Sequence, residues 1–525
     1  MQPTADTRTR DRRTSSAPGA PRRLGRVLAP LLTAVALVTA CDDDPDDAVD
    51  AFTSDPDCFG IELVEMDADE VRCGTVTAPL HHDDPDGATL TLAVATLVDE
   101  DAGEEPILVL GGGPGEVVVE TVLTDPMARE LFAFEGREVI LLDQRGVGSS
   151  DPVLTCDAFD SEAFTDMPDA QEQRDTLAAC RSELLDRGID LDAFDHTNNA
   201  RDVDLVRRAL GEDRVVLRGG SYGSHLALHA AALAPEGFSA LVLSSPADPT
   251  GNYLEAGAGG FQDALDRLDA ACGQDERCAE QLGSLEDAIA EVADRLTDQP
   301  EEVTAEPLTG GEAVTRTFTA EVFLGAVFAT LYAPDGGFAL PGMLIAARDG
   351  DLEPLARLAA TIDEGLEDIP RGMYLSMVCS AEGASYDTEV AVAGLRSTVL
   401  EERWFDQLGI GGRDTTELCA AWDVAASFDP GQLELATEVP TLLFTGEVDH
   451  VTPPLLGQQL HEQLTASHLV EVRGLAHGPL EGLDALAAGC GSDIVTAFLD
   501  DPGSEPNTIC ARQIPPLDAL GQFLP

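Results

Sequence analysis

The apolar positions of the chain fall into runs of two kinds. "VRCGTVTAPL" (71–80) and "TLTLAVATLV" (89–98) are separated by a short polar turn, which predicts an antiparallel hairpin. "PILVLGG" (106–112), "EVILLDQRG" (138–146), "RVVLRGGS" (214–221), "ALVLSSPA" (240–247), "PTLLFTGEVD" (440–449) and "HLVEVRGLAH" (468–477) are nearly continuous apolar stretches. Stretches of that kind fit parallel strands buried on both faces. Between them lie segments of helical spacing, such as "ARDVDLVRRALG" (200–211) and "GSHLALHAAALAPEG" (223–237). Strand and helix alternating in this way predict a doubly wound α/β sheet of about eight strands, mostly parallel. One interval is far too long for a crossover. Between Pro246 and Thr437 the helical pattern continues through "FQDALDRLDAACG" and "GSLEDAIAEVADRL", so an inserted, mainly helical cap is expected.

The N-terminus follows other rules. Arginines cluster in residues 1–28, and "VLAPLLTAVALVTAC" then runs apolar to Cys41. A basic region, a short apolar region and small residues form a secretory signal. "Val38-Thr39-Ala40-Cys41" resembles a bacterial lipobox, in which the cysteine is lipidated; an ordinary cleaved signal is the alternative. The acidic stretch after Cys41 suits a solvated tether. The predicted organisation is a signal (1–41), a tether (42–57), a core in two parts (58–250 and 435–525) and the cap (251–434).

Composition narrows the partners. There are 97 acidic and 31 basic residues, a net charge of −66, and every basic residue is arginine. Such a surface repels nucleic acid and favours a soluble monomer, touching a membrane only through its anchor. Without Cys41 ten cysteines remain, an even number that suits disulfides in an exported chain. Sequence leaves their connectivity open. Pairing neighbours (58–73, 156–180, 272–278, 379–419, 490–510) is one hypothesis. No C-x-x-C or histidine-rich cluster suggests a metal among them, and "HHDDPDG" (81–87) reads as a turn rather than a metal site.

Gly219-Gly220-Ser221-Tyr222-Gly223 matches G-x-S-x-G between a strand and a helix, the context of a nucleophile elbow. A serine hydroxyl needs a base. Of nine histidines, His477 follows the last strand on the sheet edge that carries Ser221, where ligands gather in such folds. Asp449, after the strand "TLLFTG", is the acid that would hold the imidazole, with Glu447 as the alternative. Ser221, Asp449 and His477 stand in the chain order of α/β-hydrolases. Donors for an oxyanion would be the backbone N–H of Tyr222 and that of Gly112 or Gly113 in "LGGGPGE". A phosphate loop is the rival reading of those glycines, but no G-K-[ST] follows.

With these pieces in order, the chain resembles the proline-iminopeptidase and tripeptidyl-aminopeptidase branch of the α/β-hydrolases. "GGGPG", "LLDQRGVGSSDP", "GGSYGS", "GEVDHVTPP" and "GLAHGP" carry the likeness, over about residues 58–515. Gly111 stands where that branch usually has a histidine, which favours the exported tripeptidyl type. The resemblance implies an α/β-hydrolase fold, peptide substrates with a free N-terminus, no cofactor and no metal. It also implies that a cap carboxylate holds the substrate's ammonium; Glu382, in "MVCSAEG", is the candidate, the alternative being a solvated surface carboxylate. Asp143 and Arg145 of "DQRG" are expected to brace the site as a buried pair. An ester hydrolase of the same fold, and a non-catalytic surface lipoprotein, are the competing readings.

Overall fold

A computed structural model describes residues 52–99, 102–132, 136–159, 170–366, 369–428 and 430–523. The signal, Cys41 and most of the tether lie outside these residues. One sheet of nine strands forms the centre, in the order β1 (Phe52–Ser54), β2 (Val71–Pro79), β3 (Thr89–Leu97), β5 (Val139–Asp143), β4 (Ile107–Leu110), β6 (Val215–Gly220), β7 (Phe238–Ser244), β10 (Thr441–Gly446) and β11 (Ser467–Val472). All eight strands predicted from the apolar runs are present. The three pairings from β1 to β5 are antiparallel, and the remaining five are parallel.

The ninth strand corrects the boundary of the tether. Phe52–Ser54 pairs with Gly74–Val76, although the sequence reading assigned it to the solvated segment. Its Phe and Thr favour extended backbone, and β2 offers it an open edge.

Alternation along the strands feeds two cores. Val109, Leu141, Val216 and Val242 face one layer of helices; Leu108, Ile140, Leu217 and Leu241 face the other. All are buried, each contributing roughly 1.5–3 kcal/mol. This is why the parallel strands read as unbroken apolar runs.

Between β7 and β10 the chain leaves the sheet. It forms helices from Tyr253–Gln274 to Thr415–Trp422 and a two-stranded hairpin of β8 (Glu301–Ala305) and β9 (Val314–Phe318), which the helical pattern did not predict. Phe261, Phe328 and Trp404 pack there with ring centroids 4.8–5.1 Å apart. Five disulfides join Cys58–Cys73, Cys156–Cys180, Cys272–Cys278, Cys379–Cys419 and Cys490–Cys510, each between sequence neighbours as hypothesised. Such bridges point to an extracytoplasmic compartment.

Candidate active site

Ser221 sits at the bend between β6 and the helix Tyr222–Leu233, with φ 52° and ψ −124°. This backbone is strained for a residue with a side chain, and such strain gathers at functional sites. Glycines make the bend possible. A Cβ at Gly219 would lie 2.2 Å from the Gly223 carbonyl oxygen, and one at Gly223 would lie 2.2 Å from that of Leu110. The Ser221 N–H donates to the Ser244 carbonyl at 3.0 Å, tying the elbow to β7.

His477 and Asp449 follow β11 and β10 at the same sheet edge. The imidazole Nδ1 lies 3.0 Å from both Asp449 carboxylate oxygens. That carboxylate also accepts from the Ser245 hydroxyl at 2.6 Å, the Thr452 hydroxyl at 2.8 Å and the Thr452 N–H at 2.9 Å. Burial alone would raise Asp449, but the His477 charge and these hydrogen bonds outweigh it and bring the carboxyl down to about 2. Burial would likewise lower His477; Asp449 outweighs it, Glu481 and Glu116 add to the pull, and the imidazole is raised above its ordinary value. With Nδ1–H committed to Asp449, Nε2 is the nitrogen free to act as base. Glu447 is occupied elsewhere, accepting from the Gly474 N–H at 2.9 Å.

Ser221, Tyr222, His477, Gly112 and Gly113 all border one cavity of about 710 Å³. Phe328, Tyr332, Tyr374 and Trp404 line it from the segment between β7 and β10, so the cavity lies between the core and the helical insert. Tyr222 opens its helix, where the N–H has no partner within the helix. The Gly112 N–H is engaged: it donates to the Glu116 carboxylate at 2.6 Å. Solvent in the cavity reaches Glu116, yet protein encloses its carboxyl, and burial raises its pKa. Glu481 borders the same space, 2.9 Å from the Ser244 hydroxyl and 3.3 Å from the Arg218 guanidinium.

Residues 105–280 match the family model described as "alpha/beta hydrolase fold", and residues 410–510 match that of the "TAP-like protein". The chain is a serine hydrolase of the α/β-hydrolase fold. It is 25% identical over 451 residues to serine protease Hip1 of Mycobacterium tuberculosis, covering 81% of this chain and 84% of that one. It is 27% identical over 443 residues to carboxylesterase B of the same species, covering 77% and 80%. Tripeptidyl aminopeptidase of Streptomyces lividans is 28% identical over 196 residues, 34% of this chain and 36% of that one. Among solved structures, proline iminopeptidase of Mycobacterium smegmatis covers 82% of this chain and 98% of its own, with 16% identity and a TM-score of 0.41.

Elsewhere the hydrolase departs from the sequence reading. Glu382 neither borders the cavity nor faces solvent: its side chain is 0% exposed. The reason is local. Gly383 is pressed against the Cys379–Cys419 disulfide, and this turns Glu382 inward, between the helices His196–Ala209 and Tyr222–Leu233. There His196 Nε2 lies 3.0 Å from Oε2 and His225 Nε2 3.3 Å from Oε1. Burial would raise Glu382, but the two imidazoles outweigh it and hold the carboxyl far below its usual range.

Asp143 and Arg145 are both buried but do not pair with each other. Asp143 accepts from the N–H groups of Val118, Val119 and Ser149, fixing the loop that carries Gly112. Arg145 grips Asp202 through two hydrogen bonds of 2.7 and 2.8 Å. His82 of the "HHDDPDG" turn joins the same carboxylate at 2.7 Å. Sequence reasoning missed Ser245, Thr452, Glu116 and Glu481. Thr452, Glu116 and Ser245 lay within the quoted "GEVDHVTPP", "LGGGPGE" and "ALVLSSPA", whereas Glu481 had no such signal.

Proposed function

We propose that the hydrolase cleaves short peptides from a free N-terminus by a Ser-His-Asp acyl-enzyme mechanism. Ser221 attacks the scissile carbonyl, His477 Nε2 takes the hydroxyl proton and passes it to the leaving amine, and water then releases the acyl group. The Tyr222 and Gly112 N–H groups receive the oxyanion once Glu116 turns away from Gly112. The observation that carries this reading is His477, held by Asp449, bordering with Ser221 one cavity beneath residues of the helical insert. Glu116 and Glu481, the two carboxylates on the cavity wall, supply negative charge for a substrate ammonium in place of Glu382. The names of the relatives point the same way: a serine protease and a tripeptidyl aminopeptidase.

A second reading, hydrolysis of esters, draws on the aromatic lining of the cavity and on the carboxylesterase relative. We place the mature chain outside the cytoplasmic membrane, lipidated at Cys41, on the strength of the lipobox and the disulfides. Among the described residues no single helix is long and apolar enough to cross a membrane.

Three substrates separate the readings: a chromogenic tripeptide amide with a free N-terminus, its acetylated form, and a short acyl ester. Turnover of the free peptide alone, lost by at least about 10³-fold in Ser221→Ala, is the expected result. Ester turnover with both peptides untouched would remove the peptidase reading.

A further inference from the structure

The inward turn of Glu382 builds a second cluster that the catalytic reading does not use. His196 opens the helix His196–Ala209, His225 lies in the first turn of the helix that follows Ser221, and Glu382 comes just after the helix Arg371–Ser380. Their side chains are 1%, 0% and 0% exposed. One ligand atom from each, two imidazole nitrogens and a carboxylate oxygen, lie within 4.8 Å of one another.

The hydrogen bonding around this cluster is incomplete. Glu382 Oε1 and both ring nitrogens of His225 have no hydrogen-bond partner, although all three are buried. Oε1 and His225 Nε2 are 3.3 Å apart but misaligned for a hydrogen bond, as two groups directed at a shared third point would be. Buried polar atoms without partners are costly, and each such group calls for an explanation.

We propose that His196, His225 and Glu382 bind a zinc ion that joins the helical insert to the core. Two neutral imidazoles and one carboxylate form a ligand set suited to zinc, with bonds of about 2.0–2.2 Å. Tetrahedral bonds of that length set ligand atoms roughly 3.4 Å apart. Each imidazole is already that close to one oxygen of the carboxylate, His196 Nε2 3.0 Å from Oε2 and His225 Nε2 3.3 Å from Oε1. With one oxygen as ligand, the remaining separations, each at most 4.8 Å, have to close. The ion would also neutralise a carboxylate that, among the described residues, pairs with no arginine.

Outer partners hold the ligands in place. His196 Nδ1 lies 3.2 Å from the Tyr222 hydroxyl, which also receives a hydrogen bond from Asn199 at 3.2 Å. Asn252 donates to the Glu382 carbonyl at 2.8 Å. A partner on the far ring nitrogen, as Tyr222 is for His196, orients a metal-bound histidine. The site stands apart from Ser221 and His477 and is structural: it ties a segment of the insert to the helix that begins beside the nucleophile.

The test begins with the full mature protein, stripped with a chelator and then dialysed against zinc. Elemental analysis should find about one tightly held zinc per chain, and the melting temperature should rise on zinc addition. Glu382→Gln and His225→Gln should lose both effects. Zinc held equally by these variants, or displaced by calcium, would belong to surface carboxylates and overturn the proposal. So would a melting temperature that zinc leaves unchanged. If the variants fail to fold, cobalt(II) in the wild-type protein decides: intense visible bands of a low-coordinate, histidine-ligated ion support the site, and pale octahedral bands reject it.

Discussion

At Asp449 and His477 the chemistry depends on which charges surround one imidazole. Asp449, Glu481 and Glu116 raise His477, so the acid limb of kcat/KM should lie above pH 6.5, the ordinary histidine value. Glu481→Gln removes one of these charges and should move that limb to lower pH, a shift read directly from the pH–rate profile. The same pair acts on stability, with opposite signs for its two members. Asp449 has a folded value of about 2 against 3.8 unfolded, so its contribution is complete above 3.8 and is lost as pH falls toward 2. His477 is raised above 6.5, so its share is present below 6.5 and is lost as pH rises through the folded value. Asp449→Asn should therefore flatten the pH dependence of the melting temperature between about 2 and 4 while lowering kcat by about 10⁴. Removing the Ser245 hydroxyl leaves Asp449 one hydrogen bond short, and Ser245→Ala should cost about 1–3 kcal/mol in denaturant unfolding.

Elements, rather than single residues, set the elbow. β6 and its helix meet where Gly223 packs on the Leu110 carbonyl, so Gly223→Ala forces β4 and the helix apart. The expected cost is about 1–3 kcal/mol, with a comparable loss of activity because Ser221 moves with its helix. A folded, fully active Gly223→Ala protein would contradict this account. The disulfide Cys379–Cys419 plays a similar part for the insert, closing a loop of 40 residues beside Glu382. Replacing both cysteines by serine should lower stability by about 2–4 kcal/mol. The hairpin of β8 and β9 shows where element prediction stops. "EEVTA" and "VTRTF" are short and turn only Val303, Ala305 and Phe318 toward the core, too few apolar positions for a period to set them apart from loop.

Across the whole molecule, a net charge of −66 makes self-repulsion a global term. Screening should relieve it, so the melting temperature is expected to rise as salt increases from low ionic strength, and a fall would show that local ion pairs dominate instead. The same scale separates what was legible in the sequence from what was not. Strand order along the chain, the alternation with helices, the long insert, the elbow around Ser221 and the positions of Asp449 and His477 after their strands were all legible. Each rests on a pattern within one short segment: period two or continuous apolar runs, a strained glycine turn, a strand end. The pairing of the cysteines stood only as a hypothesis in the sequence; the structure pairs them as neighbours, each bridge closing a local loop. Other features depended on how distant segments pack. Ser245 reaches Asp449 from a loop 204 residues earlier, and Arg145 turns to Asp202 instead of Asp143. Glu382 meets two histidines more than 150 residues earlier in the chain. A local pattern fixes where the backbone turns; the direction of a buried side chain is fixed by the walls around it, and only the tertiary structure brought those walls together.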